Sequence, residues 1–368
     1  MKTLGKIITD IAPTINNGRN SEGAFIRMDN GVIAFAYSKF VAGRGYDDEQ
    51  SDIAVCFSFD EGETFTKERV IISAKESGAQ NLMSVSLLKM QDGSIGVFYA
   101  KKITALNSTY CMRKTRDFIE FSKEITCLPC DRYYVVNNDR VRRLSNGDII
   151  IPASYFILEL KNPSLGVMHY KNVKSHGGIA QFFISKDDGQ TWSQLSSDLY
   201  LPIEDSKTGL QEGGVEELDD GRLYSYFRTD QGCQFQSISL DGGKTWGEVI
   251  PSRFTSPTSP MNTKRLKNGK FAIVYNPTPL MAGRSEDVDG AWTGGRNPLV
   301  LRLADGNMKK IGAINQIEND KKRGFCYSAI FETEDGLLLG YCAGGGADYS
   351  TLNRLRIRKI YASELENA

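Results

Sequence analysis

The sequence predicts an all-β chain built from six related antiparallel sheets, and three observations carry that prediction. The composition favours strands and tight turns, with 18 Phe, 16 Tyr and 36 Gly in 368 residues; aromatic residues suit strands and glycine suits turns. No long segment shows the 3.6-residue apolar period of an amphipathic helix. A turn dipeptide followed by a β-rich run recurs six times along the chain.

In order, Asn30-Gly31 precedes Val32–Tyr37, Asp92-Gly93 precedes Ser94–Tyr99, and Asn146-Gly147 precedes Asp148–Ala153. Asp220-Gly221 then precedes Arg222–Phe227, Asn268-Gly269 precedes Lys270–Tyr275, and Asp335-Gly336 precedes Leu337–Cys342. Successive glycines are 62, 54, 74, 48 and 67 residues apart, which sets the size of each unit. Asn-Gly and Asp-Gly favour hairpin turns with positive φ at both central residues, so such turns are expected at all six places. A second signal reads Ser-x-Asp-x-Gly-x-Thr-aromatic. It occurs at Ser58–Phe65, Ser185–Trp192 and Ser239–Trp246, with eroded copies near Lys114–Phe118 and Leu303–Asn307. In each copy Ser ends a strand, Asp bonds the turn backbone, Gly takes the left-handed position, and the aromatic ring is expected to pack back into the sheet.

This motif resembles the Asp box of the sialidase-type β-propellers. The resemblance implies a six-bladed β-propeller of four-stranded antiparallel sheets occupying residues 1–368 as one catalytic domain. Length alone would suggest two to three domains, at roughly 150 residues each. In that family the boxes hold peripheral turns and are not catalytic.

Composition narrows the partners. Lys+Arg and Asp+Glu are both 45, so the net charge is zero. Nucleic acid and anionic membrane surfaces reward a basic excess, so neither is expected as the partner. Seven cysteines, an odd number, read as reduced thiols. Two histidines, His169 and His176, argue against a His-built zinc site, and no metal or cofactor is expected. The first residues show no apolar signal core, so the expectation is a cytoplasmic protein.

Propeller sites form where inner strands meet at the axis, so residues just ahead of each turn are the candidates. Arg19 stands twelve residues before Gly31. Sialidases place an arginine there, followed by Ile-Pro; this chain has Asn20-Ser21-Glu22. The loop Gly43-Arg44-Gly45-Tyr46-Asp47-Asp48 matches the family's acid/base loop, with Asp47 the better match, Asp48 the alternative, and Arg44 a lesser candidate. Glu212 and Arg228 flank the fourth turn and can face each other across a hairpin. The resemblance makes Glu212 the partner of a tyrosine nucleophile and Arg228 a ligand of the substrate carboxylate, although Gly213 replaces the family's proline. Arg296 before the eroded fifth box and Tyr327 in a Tyr-Ser pair complete the set. Asn138, Asp139 and Arg140 head the third unit and are expected to touch substrate, and the Asn81–Ser86 stretch to line the floor. The insertion from Phe156 to Gly178 reads as a lid, a dimer contact or a plain loop.

The resemblance thus implies a retaining exo-glycosidase acting on terminal α-linked sialic acid or a related acidic sugar. Three arginines would hold the substrate carboxylate. A neutral tyrosine would avoid the repulsion that a carboxylate nucleophile would suffer. The alternatives are a propeller glycosidase or lyase acting on a uronic acid, and a non-catalytic carbohydrate-binding propeller.

Overall fold

In the computed structural model, residues 3–165, 173–195, 197–280, 286–288 and 290–365 are described. Apart from a two-stranded ribbon of Asp287–Val288 and Ala291–Trp292, their strands form six radial sheets, or blades, the first five running in chain order from an inner to an outer strand. Blade one comprises Asn20–Arg27, Ile33–Phe40, Ser51–Ser58 and Arg69–Ile72. Blade two comprises Asn81–Lys89, Ile95–Lys102, Ser108–Thr115 and Ile125–Thr126. Blade three opens with Tyr133–Val135 and Arg142–Arg143, continues through the long strands Ile149–Leu160 and Val173–Ser185, and ends at Ser193–Gln194. A parallel contact of Tyr133 with Ser108 joins it to blade two. Blade four is Gln211–Glu217, Leu223–Arg228, Cys233–Ser239 and Ile250–Thr255. Blade five is Asn262–Arg265, Phe271–Tyr275, Leu299–Ala304 and Asn315–Glu318. Blade six is Cys326–Glu332, Gly336–Cys342 and Leu355–Tyr361, and its outer strand is the N-terminal Lys6–Ile11. The two ends of the chain therefore meet in one sheet.

Apolar packing closes the ring. Each blade is apolar on both faces, and each of the six apolar clusters among the described residues is shared by two neighbours. Val55 and Val97 belong to the cluster between blades one and two, Met112 and Ile151 to that between two and three, and Ile150 and Val215 to that between three and four. Tyr226 and Ile273 belong to the next, Leu301 and Leu339 to the one after, and Phe35 and Leu338 join blade six to blade one. A sheet buried on both faces explains why the second strands read as almost continuous apolar runs. The result is a six-bladed propeller, as the repeats predict.

The turns differ from expectation. In the first, the Gly31 N–H donates to Met28 O at 3.0 Å and the Met28 N–H to Val32 O at 2.8 Å, and only Gly31 has positive φ. Gly93, Gly147, Gly221 and Gly269 repeat this pattern. It is the three-residue hairpin loop, a type I turn closed by one left-handed glycine, so Asn or Asp sits at an ordinary turn position. The sixth is tighter, closed by the Thr333 N–H on Gly336 O at 2.9 Å.

The three full boxes are superimposable in their bonds. Ser58 Oγ accepts from the Gly62 N–H at 2.8 Å, and Asp60 accepts from the Thr64 N–H at 2.9 Å and its hydroxyl at 2.6 Å. Ser185/Asp187 and Ser239/Asp241 make the same set. Two of the box aromatics pack across to the preceding blade, Trp192 meeting Phe98 edge-on at 6.1 Å and Trp246 stacking on Phe182 at 4.2 Å, while Phe65 packs as expected against Phe25 of its own blade at 6.4 Å. The boxes of Trp192 and Trp246 are thus inter-blade rivets. The eroded box in blade two works with Phe118 in the left-handed position, fully buried between blades one and two. Phe118→Ala is expected to lower unfolding stability by about 3–5 kcal/mol through the cavity it leaves, read as a lowered denaturant midpoint.

Candidate active site

The inner strands share one irregularity. Pairing with the second strand slips between Ser21 and Ala24, Met83 and Ser86, Gln211 and Gly214, and Cys326 and Ala329. Inside each slip stands a non-glycine residue with positive φ: Glu22 at 57°, Ser84 at 56°, Glu212 at 47° and Tyr327 at 54°. Each precedes its turn glycine by nine residues. Asp139, at 54°, takes the related place in blade three. A left-handed non-glycine residue costs roughly 1–2 kcal/mol. A bulge re-aims its side chain, and here Glu22, Ser84, Glu212 and Tyr327 all line one cavity of about 510 Å³.

At the centre of this cavity the Tyr327 hydroxyl donates to Glu212 Oε1 at 2.8 Å. Arg228 Nη1 donates to the same Oε1 at 2.7 Å and lies 3.3 Å from the Tyr327 oxygen. Burial pushes the Glu212 carboxyl up, but Arg228 and Arg296 outweigh it and hold the group below its usual range. Burial, reinforced by the Glu212 charge, pushes the Tyr327 phenol well above its ordinary value, against the pull of Arg228 and Arg296. The pair is therefore an ionised carboxylate accepting from a neutral phenol. Attack by the phenol oxygen would pass its proton to that carboxylate.

Arg296 lies with its guanidinium between Trp292 and Tyr327, 4.8 and 5.5 Å from their ring centres. Its Nη1 donates to Cys326 Sγ at 3.0 Å and its Nη2 to Thr258 O at 3.1 Å. The Nε atoms of Arg228 and Arg296 and Glu212 Oε2 are buried without a hydrogen-bond partner. Unsatisfied polar atoms of this kind are rare in a finished interior.

Arg19 is almost wholly buried and fully engaged. Its Nε donates to Ser21 Oγ at 2.8 Å, its Nη1 to Asp47 Oδ1 at 2.6 Å, and its Nη2 to Glu22. Burial pushes the Glu22 carboxyl up despite Arg19 and a hydrogen bond from Ser84. Asp47 differs. Its side chain is 59% exposed although protein surrounds it in the cleft. Desolvation there raises its pKa, and Arg19 and Lys102 more than offset this, leaving it below the usual carboxylate value. Lys102 Nζ and Asn81 Nδ2 both donate to the Asp47 carbonyl, at 2.8 and 2.6 Å, and so pin the loop.

Residues 40–339 match the BNR repeat-like domain family. The chain belongs to that family, within the sialidase superfamily. Among curated relatives, an anhydrosialidase of Macrobdella decora is 27% identical over 166 residues, which is 42% of this chain and 20% of that protein. Among solved structures, a leech intramolecular trans-sialidase in complex with 2,7-anhydro-Neu5Ac matches with a TM-score of 0.69 at 12% identity, over 100% of this chain and 72% of that one. An intramolecular trans-sialidase from Ruminococcus gnavus matches with a TM-score of 0.68 at 12% identity, covering 98% of each chain. A protein of unknown function from Dyadobacter fermentans matches with a TM-score of 0.68 at 15% identity, over 96% and 99%. These structures share the BNR propeller fold.

The cavity gathers six of the eleven residues the sequence singles out: Arg19, Asp47, Glu212, Arg228, Arg296 and Tyr327. The other five do not line it. Asp48 lies behind Asp47, its carbonyl accepting from Gln80 Nε2 at 3.0 Å. Arg44 is exposed on the loop, and its carbonyl accepts from Asn353. Asn138, Asp139 and Arg140 reach the axis but are buried there, bonded to backbone and side chains of other blades. Blade three meets the cavity instead through Tyr133–Asn137. Asn81, Met83 and Ser84 line it, as expected of that stretch.

Several lining residues escape the sequence reading, Glu22, Lys102 and Trp292 among them. Glu22 carried a usable signal, the nine-residue offset it shares with Glu212 and Tyr327. Lys102, at the end of a second strand, and Trp292, in an insertion within blade five, carried none. The described residues of the blade-three insertion extend the paired strands Ile149–Leu160 and Val173–Ser185, and Phe156, Leu158 and Val173 among them wall the cavity. His176 there pairs with Glu159 at 3.2 Å, while His169 lies outside the described residues. Because Arg228 is what offsets burial at Glu212, Arg228→Gln is expected to move the Glu212 pKa upward. Carbon-13 NMR titration of labelled glutamate carboxyls reads this, and an unmoved Glu212 would refute the assignment.

Proposed function

We propose that this protein is a retaining exo-glycosidase of the sialidase type, cleaving terminal α-linked sialic acid or a closely related acidic sugar. The observation that carries the reading is the Tyr327 hydroxyl bonded to the Glu212 carboxylate at 2.8 Å with Arg228 on the same oxygen. The family supports it, and so does a curated anhydrosialidase relative.

The substrate is a 2-keto sugar acid with a carboxylate on its anomeric carbon. Arg228 and Arg296 offer guanidinium edges to that carboxylate, with Arg19 behind Asp47 as the third charge. As the bond from the anomeric carbon to the leaving oxygen breaks, the Tyr327 oxygen bonds that carbon and its proton passes to Glu212. Asp47 protonates the leaving oxygen. Paired with Arg19, Asp47 is ionised; a substrate carboxylate among the arginines adds negative charge beside it and favours its protonated form. In the second step Asp47 takes a proton from the attacking hydroxyl, the carbon–tyrosine bond breaks, and Glu212 returns the proton to Tyr327. Two inversions at one carbon give retention.

Hydrolysis of a fluorogenic N-acetylneuraminic acid α-glycoside is the deciding assay. Tyr327→Phe is expected to abolish turnover. Asp47→Asn is expected to lower it by roughly 10²–10⁴-fold, as loss of an acid/base does. Turnover of a uronic acid glycoside in place of the sialoside would overturn the substrate assignment. Binding of both without turnover would favour a carbohydrate-binding role. Two similar structures are intramolecular trans-sialidases, so mass analysis of the product, free sugar against its 2,7-anhydro form, identifies the attacking hydroxyl.

A further inference from the structure

The residues expected to touch substrate from blade three make a different set of contacts. Carbonyl oxygens at matching positions of five inner strands converge on one buried polar cluster. Gly23 O accepts from Asn138 Nδ2 at 2.8 Å, Val85 O from the Asp139 N–H at 2.9 Å, and Gly213 O from Arg140 Nε at 3.2 Å. Ser328 O accepts from Asn262 Nδ2 at 2.7 Å, and Met261 O from Arg140 Nη2. Four of these carbonyls belong to the residue directly after a left-handed one: Glu22, Ser84, Glu212 and Tyr327.

The cluster also grips the tyrosine segment from both sides. Asn138 Nδ2 donates to Tyr327 O itself at 3.2 Å, and the Ile330 N–H donates to Asp139 Oδ2 at 3.1 Å. Its members are tied to one another: Asn262 Nδ2 donates to Asp139 Oδ2 at 3.1 Å, Arg140 Nη1 donates to Asn262 Oδ1, and Lys264 neutralises Asp139 at 2.9 Å. Asn138, Asp139, Arg140 and Asn262 are each at most 3% exposed.

We propose that Asn138, Asp139, Arg140 and Asn262 form a positioning plug on the propeller axis, which holds the bulges of Glu212 and Tyr327 and thereby sets the contact between phenol and carboxylate. The physical need is clear. A tyrosine in the left-handed region pays a steric penalty, and a bulge that relaxes by one residue turns its side chain to the other face of the sheet. Bonds from a cation and amides to the next carbonyl remove that option, because relaxation would strand buried donors. None of the four lines the cavity, so they act through Glu212 and Tyr327.

This inference rests on the proposed glycosidase for its kinetic readout. The test compares Asn138→Ala and Asn262→Ser with Phe118→Leu, a control of similar thermal destabilisation in the core between blades one and two. Kinetics use the fluorogenic N-acetylneuraminic acid α-glycoside, and crystal structures of the folded variants give the Tyr327 backbone. In the plug variants kcat is expected to fall by roughly 10²-fold, the cost of an ångström-scale misplacement. KM should stay within about twofold, since the arginines that bind the carboxylate are untouched. Tyr327 should leave the left-handed region or lose its bond to Glu212. Unchanged kcat with Tyr327 still on Glu212 would overturn the plug, as would an equal loss in Phe118→Leu. If the wild-type protein does not turn over the glycoside, the proposed function fails. The position of Tyr327 in the variants then decides the plug by itself.

Discussion

In a β-strand the side chains alternate between the two faces of the sheet, and none points along the sheet's free edge. A propeller turns that free edge toward its axis. A ligand site on the axis therefore needs side chains bent out of the alternation. Here a single left-handed residue in the inner strand does this in four blades, at Glu22, Ser84, Glu212 and Tyr327. Each of these conformations is unfavourable taken alone. They persist because the six apolar clusters between blades fix the strands on either side, and because the axial polar residues bond the backbone that follows each bend.

The second theme is charge under burial. Arg19, Arg228 and Arg296 lie close enough to line one cavity, and none is left as a bare cation. Glu22 and Asp47 share Arg19, Glu212 faces Arg228, and Arg296 rests between two aromatic rings. Desolvation pushes all three carboxyls upward in pKa; the guanidiniums outweigh it at Glu212 and Asp47 but not at Glu22. The site thus holds carboxyl groups in different protonation tendencies within one small volume, which acid/base chemistry requires.

Much of the architecture is legible along the chain because its signals are local. A turn of this type needs glycine at one position whatever surrounds it, and an Asp box makes its bonds within eight residues. Both motifs recur, so the number of blades follows. The turn type is not legible because Asn-Gly serves both a two-residue loop with both residues left-handed and a three-residue loop with only its glycine left-handed. Trp192 and Trp246 depart from packing into their own sheets, and a ring's partner across a blade interface leaves no mark nearby in the sequence. Asn138, Asp139 and Arg140 show the same limit at the site. Their place in the repeat correctly puts them on the axis, yet not at which depth, and depth separates a cavity wall from a buried plug.

By itself the sequence determines the repeated β-architecture, its six units, and the chain order of arginine, aspartate, glutamate and tyrosine around them. Backbone preference and short-range hydrogen bonds suffice for the first two, and the resemblance of motifs for the third. Tertiary structure decides what those residues do to one another. The packing of the blades around one axis brings Glu212 of blade four within 2.8 Å of Tyr327 of blade six, and the fold of blade one sets Arg19 against Asp47 on the loop between its second and third strands. Contacts across 115 residues depend on the curvature summed over every blade, and no local pattern encodes that sum.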